Sequence, residues 1–344
     1  MRVTSLGSGS SGNALLVEAG PNGRTKLLVD AGFTTRILRE RLRSAGISLS
    51  QIQGVLVTHE HSDHILGLPA LMKYYATPVI ADPRTLAAIE QTFAEGILRT
   101  ESGPLIPIEA EPDIDPEENS HNGTNERSAN SLPPALHDEP STYSVYSGRP
   151  DNGRFVTSHL EPNHLDFIHH PVGSHRVIGD IEVTSFPVSH DAVAPCGFLL
   201  SAGGCRVCVV IDSGEVTATM LEAIKQADLL ILESNHDRER LLRGPYPYTL
   251  KQRILSATGH LSNDQAAEAV LRTWRTDGVR WLWLSHLSRT NNTPKLALNS
   301  MRTRIQKAKA NLAQIHISVL PPGIGGTWDS AQLWCMPSLW EIQE

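Results

Sequence analysis

Gly54-Val-Leu-Val-Thr58-His59-Glu60-His61-Ser62-Asp63-His64 opens as an apolar run of strand length and then places three imidazoles and two carboxylates within six residues. The run to Thr58 reads as a short buried strand, and Ile65 to Tyr75 reads as helical, so the polar cluster leaves a strand end and enters a helix. Rigid elements on both sides therefore aim these side chains. His59 and His61, two apart on an extended turn, suit one cation. Asp63 and His64 point to a second about 3.5 Å away, the separation found in two-metal hydrolytic sites. A pair of cations needs further ligands from distant strands, and three later apolar runs end in suitable donors. These are Phe186-Pro-Val-Ser-His190-Asp191, Val209-Val-Ile-Asp212-Ser-Gly and Trp281-Leu-Trp-Leu-Ser-His286. Nitrogen and carboxylate donors suit Zn²⁺, and oxygen-richer spheres completed by water also take Mn²⁺ or Fe²⁺.

Upstream, Val3 to Leu6, Gly7-Ser-Gly-Ser-Ser-Gly12 and the residues to Ala19 carry a GxGxxG pattern, with Asp30 some twenty residues further on. A dinucleotide site needs a helix directly after the glycines. Gly20-Pro-Asn-Gly23 interrupts too early for one, so the segment reads as a β-meander whose third strand is Lys26 to Asp30. A helix over Thr35 to Ala45, a strand over Pro78 to Ala81 and a helix over Pro83 to Phe93 follow. Residues 102–177 are rich in Pro, Ser, Asn and acid, and read as a partly flexible insertion. Its seven histidines, His121, His137, His159, His164, His169, His170 and His175, read as solvated loop residues. Strands then recur over Ile181 to Pro187, Gly197 to Ala202, Arg206 to Asp212, Leu229 to Glu233, Trp281 to Leu284 and Ile315 to Leu320. Helices over Thr217 to Gln226, Ser262 to Thr276 and Pro294 to Ala310 alternate with the later ones. Antiparallel hairpins followed by strand–helix alternation predict an α/β (α+β) fold of two mixed sheets covered outside by helices.

The chain has 344 residues, 40% of them hydrophobic, enough to bury a full core. Thirty Lys and Arg against 37 Asp and Glu give a net charge of −7, which excludes a globally basic nucleic-acid coat and leaves a local basic groove open. The N-terminus lacks the apolar core of a signal peptide and no run is long enough to span a bilayer, so a cytoplasmic protein is expected. The four cysteines, Cys196, Cys205, Cys208 and Cys335, are too few for a disulfide scaffold, and Cys205/Cys208 lies within an apolar run, which reads as strand core.

The His59–His64 motif, HxHxDH, resembles the signature of the metallo-β-lactamase superfamily, and the resemblance extends over the chain apart from the insertion. It implies a single domain over 1–344, an αββα sandwich with its site at one edge of the sheets and two divalent cations, Zn or Mn with Fe as a further option. By the same resemblance Asp30 lies behind the site, His190 completes the first metal sphere, Asp212 bridges both ions and His286 completes the second. Cations so bridged would share a water acidified enough to attack a carbonyl or a phosphorus near neutral pH.

Leu229-Leu-Ile-Leu-Glu233-Ser-Asn-His236-Asp237 and Ala257-Thr-Gly-His260-Leu-Ser are similar to motifs of the tRNA 3′-processing endonucleases. There a histidine steered by a carboxylate protonates the leaving oxygen, a contribution of roughly 10² to 10⁴ in rate. Glu233 and His260 match that pair; the alternative is that His260 merely caps its helix. His236 either approaches the metals or hydrogen-bonds loop backbone. Ser288, Arg289 and Asn291, beside His286, are either donors to phosphate oxygens or parts of a solvated loop. Gly-Ser-Gly-Ser-Ser-Gly-Asn, Thr-His-Glu-His-Ser-Asp-His-Ile-x-Gly, Glu-Ser-Asn-His-Asp and Ser-His-Leu-Ser together resemble the YycJ/WalJ-type subgroup of that superfamily, which implies a metal-dependent 5′–3′ exonuclease. The acidic insertion departs from the subgroup and would repel a polyanion if it lay over the site. Against it stand Arg238, Arg240, Arg243, Lys251 and Arg253, interleaved with Tyr246 and Tyr248, a pattern that suits a single strand or an ordinary solvated loop. The expected function is a dinuclear phosphodiesterase and exonuclease on single-stranded nucleic acid, DNA or RNA, that uses a metal-bridging hydroxide. Asp63 and Asp212 would orient that hydroxide, and Glu233 and His260 would assist departure. The alternative is a small-molecule hydrolase of a lactone, thioester or cyclic phosphodiester, with the insertion as its roof.

Overall fold

Every residue of Ala14–Ala19 is buried, which a strand achieves only when both faces of its sheet are covered. Leu15 and Val17 face one buried layer, Ala14 and Leu16 another, as the two-residue period of a strand requires. In the computed structural model, which describes residues 1–98, 106–107, 166–276 and 278–333, this strand is β2 of a seven-stranded sheet.

The meander β1 (Arg2–Gly7), β2 (Ala14–Ala19) and β3 (Thr25–Val29) is antiparallel, as expected from the glycine and Pro-Asn-Gly turns. After α1 (Thr35–Ser44) come β4 (Val55–Leu56), α2 (Ser62–Ile65), α3 (Leu68–Tyr75), β5 (Val79–Ala81) and α4 (Pro83–Glu95), with β3, β4 and β5 parallel. β6 (Ile97–Leu98) and β7 (Ile106–Pro107) form a separate antiparallel pair. β8 (Phe167–His169) then extends the first sheet beside β5.

The second sheet repeats the plan. β9 (His175–Ile178), β10 (Ile181–Pro187), β11 (Cys196–Ala202) and β12 (Cys205–Val210) are antiparallel neighbours in chain order. α5 (Ala218–Lys225), β13 (Leu229–Glu233), α6 (Arg238–Arg243), α7 (Tyr248–Ile254), α8 (Asn263–Arg272), β14 (Arg280–Ser285), α9 (Pro294–Lys307) and β15 (Ile315–Val319) follow, with β12 to β15 parallel. β16 (Thr327–Asp329) returns to the far side of β1.

Three buried layers hold these elements together. The central one joins Val17, Val29 and Leu56 of the first sheet to Val183, Phe198, Val209 and Ile231 of the second. The first sheet's outer face packs on Leu38, Leu42, Leu71 and Ile89 of α1, α3 and α4, and the second's on Met220, Val270 and Met301 of α5, α8 and α9. The result is the expected αββα sandwich, and each such fully buried aliphatic side chain contributes on the order of 1.5–3 kcal/mol. Cys205 and Cys208 are buried free thiols of β12, and burial pushes both above the ordinary thiol range, which leaves them as strand core.

Three expectations are corrected. Phe167–His169 and His175–Ile178 are strands, so residues 167–177, expected within the insertion, supply β8 and part of β9, strands in both sheets. His170, read as a solvated loop residue, is buried and stacks on Phe198, with ring centroids 6.4 Å apart, whereas His169 and His175 are exposed. The segment between Glu233 and His260 holds two short helices, α6 and α7, too short to show a period. His121, His137, His159 and His164, with most of the acidic insertion, lie outside the described residues.

Candidate metal centre

Parallel strands present their C-terminal ends at one edge of a sheet, and the next residue of the chain is placed there. β3 ends before Asp30, β4 leads into Thr58 and His59, β12 leads into Asp212, β13 ends on Glu233 and β14 ends before His286. Asp30, Asp212 and His286 all have left-handed backbones, at φ 60°, 60° and 53°. Such conformations cost on the order of 1–3 kcal/mol for residues other than glycine, and they cluster where surrounding structure holds a functional side chain.

His59, His61 and His190 converge. His61 Nδ1 lies 3.1 Å from His59 Nε2 and 3.3 Å from His190 Nε2. The outward nitrogen of His190, Nδ1, is 3.0 Å from the carbonyl of Gly259, which turns Nε2 to the centre. The second group consists of Asp63, His64, Asp212 and His286. His64 Nε2 is 2.8 Å from Asp212 Oδ2, and Asp63 Oδ2 is 3.6 Å from His64 Nε2 and 3.7 Å from His286 Nε2. Asp212 lies between the groups, its Oδ2 3.5 Å from His59 Nε2 and its Oδ1 in close contact with His286 Nδ1. Asp30 stands behind, with Oδ2 2.7 Å from His64 Nδ1 and Oδ1 accepting the Thr58 N–H at 2.9 Å.

These donors fit divalent cations. His59, His61 and His190, then His59, His64 and Asp212, then Asp212, Glu233, His260 and His286 each bring ligand atoms within 4.8 Å of one another, and Asp63 Oδ1 and His286 Nε2 are buried with no hydrogen bond. His64 and His190 each have one nitrogen anchored outward and the other turned inward, the outer-shell arrangement of metal-binding imidazoles. Carboxylates charge two of these imidazoles, and a cation would displace their protons on binding. Burial opposes charge on His64, yet Asp30, Asp63 and Asp212 hold its imidazole well above the usual range. Burial likewise opposes charge on His286, and Asp212 with Asp63 and Glu233 outweighs it. His59 is pushed well below the usual range by burial and by its histidine neighbours, so it offers a lone pair. Asp212 remains ionised because His286, His260 and His64 overcome its burial.

Glu233 Oε1 is 2.7 Å from His260 Nδ1 and 3.0 Å from His286 Nδ1, while Oε2 accepts the Ser213 and Leu261 N–H groups at 2.9 and 3.1 Å. Four partners fix one buried carboxylate. His260 does not cap α8: Ser262 does, in a reciprocal capping box with Gln265. His260 lines a cavity of about 40 Å³ with Ser10, Tyr246, Arg253 and Ser288. Arg289 is exposed beside it, its Nη2 2.9 Å from Ser11 Oγ. Asn291, in contrast, is fully buried, with its N–H donating to Ser288 Oγ at 3.1 Å, which withdraws it from the expected substrate contacts. Of the basic residues near Tyr246, Arg240 and Lys251 bind backbone carbonyls and Arg253 pairs with Asp191 at 2.6 Å.

His236 does not join the cluster through its ring. Both ring nitrogens are fully buried without a hydrogen bond, and burial lowers its pKa from 6.5 to about 4, against Glu233 and Asp237 and with His260 and Arg238. Between those values the unfolded chain binds a proton that the folded chain refuses. Stability is therefore complete above about pH 6.5 and falls as pH drops toward 4, by about 2 kcal/mol for this group at pH 5. Urea unfolding at pH 7 and pH 5 should show a pH difference smaller by that amount in His236→Leu than in the parent.

Asn13 escaped the sequence reading. Its Nδ2 lies 3.2 Å from both Asp63 Oδ2 and His64 Nε2. The available signal was its position directly after the glycine turn, which the meander alone did not require.

Residues 7–242 match the family model of the metallo-beta-lactamase superfamily, a span that contains His59 to His64, His190, Asp212 and Glu233. The chain is 32% identical over 296 residues to exodeoxyribonuclease YycJ of Bacillus anthracis, covering 86% of each protein. It is 30% identical over 303 residues to exodeoxyribonuclease WalJ of Streptococcus pneumoniae, covering 88% of this chain and 87% of that one. Among solved structures, the metallo-beta-lactamase fold protein YhfI from Bacillus subtilis superposes with a TM-score of 0.57 at 14% identity, over 95% of this chain and 98% of that one. No helix among the described residues is long and apolar enough to cross a membrane. Two mixed sheets, the histidine-rich edge between them and these similarities together place the chain in the metallo-beta-lactamase superfamily, a family of metal-dependent hydrolases.

Proposed function

We propose that this protein is a two-cation phosphodiesterase that removes nucleotides from the 5′ end of single-stranded DNA. The observation that carries this reading is the Glu233–His260 pair, held 2.7 Å apart next to Asp212, whose Oδ1 is 3.3 Å from His260 Nδ1. An alkoxide leaving group needs a proton donor far more than a lactam does.

In this reading His59, His61 and His190 would hold one cation and Asp63, His64 and His286 the other, with Asp212 within reach of both. Bound Zn²⁺ or Mn²⁺ would supply Lewis-acid polarisation of the phosphate and a water acidified toward neutral pH. Glu233 accepts from His260 Nδ1, which makes Nε2 the ring nitrogen that would hold and donate the proton. As the new P–O bond forms and the P–O3′ bond breaks, His260 Nε2 gives its proton to O3′ of the terminal nucleotide. In this reading Ser288 and the exposed Arg289 would bind phosphate oxygens, and a base would stack on Tyr246, which lines the cavity beside His260. The exodeoxyribonuclease names of the two relatives support DNA as the substrate and an end as the point of attack.

The test is degradation of end-labelled single-stranded DNA and RNA by protein freed of metal and refilled with Mn²⁺ or Zn²⁺. The 5′ label should leave at once as a mononucleotide and the 3′ label should remain on a shortening strand, with Asp63→Asn inactive. Turnover of a lactone, thioester or cyclic phosphodiester without any strand degradation would replace this reading with that of a small-molecule hydrolase.

A further inference from the structure

We infer that the glycine turn between β1 and β2 shapes the second cation pocket, with Asn13 and Ser8 as positioning residues for Asp63, His64 and His286. The inference rests on the two-cation reading above.

The turn is wedged between the segments it would organise. A Cβ on Gly12 would stand 2.4 Å from the Phe33 ring and 2.5 Å from the Gly32 carbonyl, at a φ of 145° that side chains rarely adopt. A Cβ on Gly32 would stand 1.6 Å from the Asp63 carbonyl oxygen. This closeness lets the Asn13 N–H donate to the Asp63 carbonyl at 2.8 Å while the Gly32 N–H donates to the Asn13 carbonyl at 2.9 Å. The backbone at Asp63 is thereby tied to the turn.

The side chain of Asn13 has one sensible orientation. Its Oδ1 accepts the Gly9 N–H at 2.9 Å, so Nδ2 is the atom that faces the cluster. There it donates at 3.2 Å to Asp63 Oδ2, the oxygen that stands 3.6 Å from His64 Nε2 and 3.7 Å from His286 Nε2, while Oδ1 is buried without a hydrogen bond. The amide thus fixes the carboxylate oxygen that faces the second group. His64 Nε2, also 3.2 Å away, is the nitrogen that faces Asp212. Ser8, buried at the same turn, accepts the His286 N–H at 2.8 Å and stands 3.5 Å from Asn13 Oδ1. One turn therefore contacts ligands from both sheets, those after β4 and the one after β14. None of these contacts reaches His59, His61 or His190.

Mn²⁺ titration of the metal-freed protein, read by the electron paramagnetic resonance signal of the free ion, tests this without any substrate. Outer-shell partners typically contribute 10- to 100-fold to metal affinity. Asn13→Ala should weaken the second equivalent by about that factor and leave the first within about threefold, and Ser8→Ala should weaken the second by about tenfold. Two equivalents bound by both variants as by the parent would overturn the inference. Equal weakening of both equivalents in Ser8→Ala would also overturn it, because the turn would then support only the fold. Should Asn13→Ala fail to fold, Ser8→Ala, which leaves the turn's backbone intact, decides alone. A parent protein that binds a single equivalent would overturn the two-cation reading itself, a result distinct from either of these.

Discussion

Replacing His260 by Ala is expected to lower the rate of DNA hydrolysis about 10²- to 10⁴-fold with both cations still bound. The variant should fold, because the start of α8 is capped by Ser262 and Gln265, and Glu233 would still have His286 Nδ1 and two backbone N–H groups as partners. The informative measurement compares DNA with a bis(p-nitrophenyl) phosphate substrate, whose leaving group departs without a proton. A true proton donor should matter far less for the activated ester than for DNA. Equal losses on both substrates would show that His260 acts on the architecture of the site and would remove the observation on which the phosphodiesterase assignment stands.

Asp212→Asn should abolish hydrolysis and lower the bound metal below two equivalents. Asp212 is fully buried, with His59, His64, His260 and His286 around its two oxygens. Losing it should cost more than the about 10- to 100-fold in affinity typical of an outer-shell partner. The metal-free protein should also be less stable. His64 and His286 are held charged by carboxylates of which Asp212 is one, and removing one partner of a buried pair costs about 3–5 kcal/mol. Metal analysis after gel filtration, with chemical unfolding of the metal-free forms, checks both parts. Two equivalents retained at parental affinity would mean that Asp212 does not lie between the cations.

Much of this arrangement is legible in single stretches of chain. An apolar run that stops at a His, Asp or Glu marks a strand end at a site, because a buried polar donor must find partners there; β13 and Glu233 follow that rule residue for residue. The CxxC in β12 and the misleading GxGxxG were likewise readable from their flanks. Where signals were short or spread along the chain, local reading failed. α6 and α7 span six and seven residues, too few for a period. β8 and His170 lie after a long polar stretch, and the pairing of β8 and the burial of His170 depend on β5 and Phe198, far away in sequence. Asn291 carries a side chain suited to phosphate, and only its packing shows that it points inward.

By itself, then, the sequence determined which residues stand at strand ends and which donors they carry, since strand periodicity and ligand chemistry are both local. Only the tertiary structure decided that these ends meet. His61 finds His190 across 129 residues, and the N–H of His286 finds Ser8 across 278. No local pattern encodes such distances. They follow from two sheets pressing their apolar faces together, which aligns the C-terminal edges of their parallel strands. The same packing gave Asn13 a place among those donors that its neighbours in sequence do not reveal.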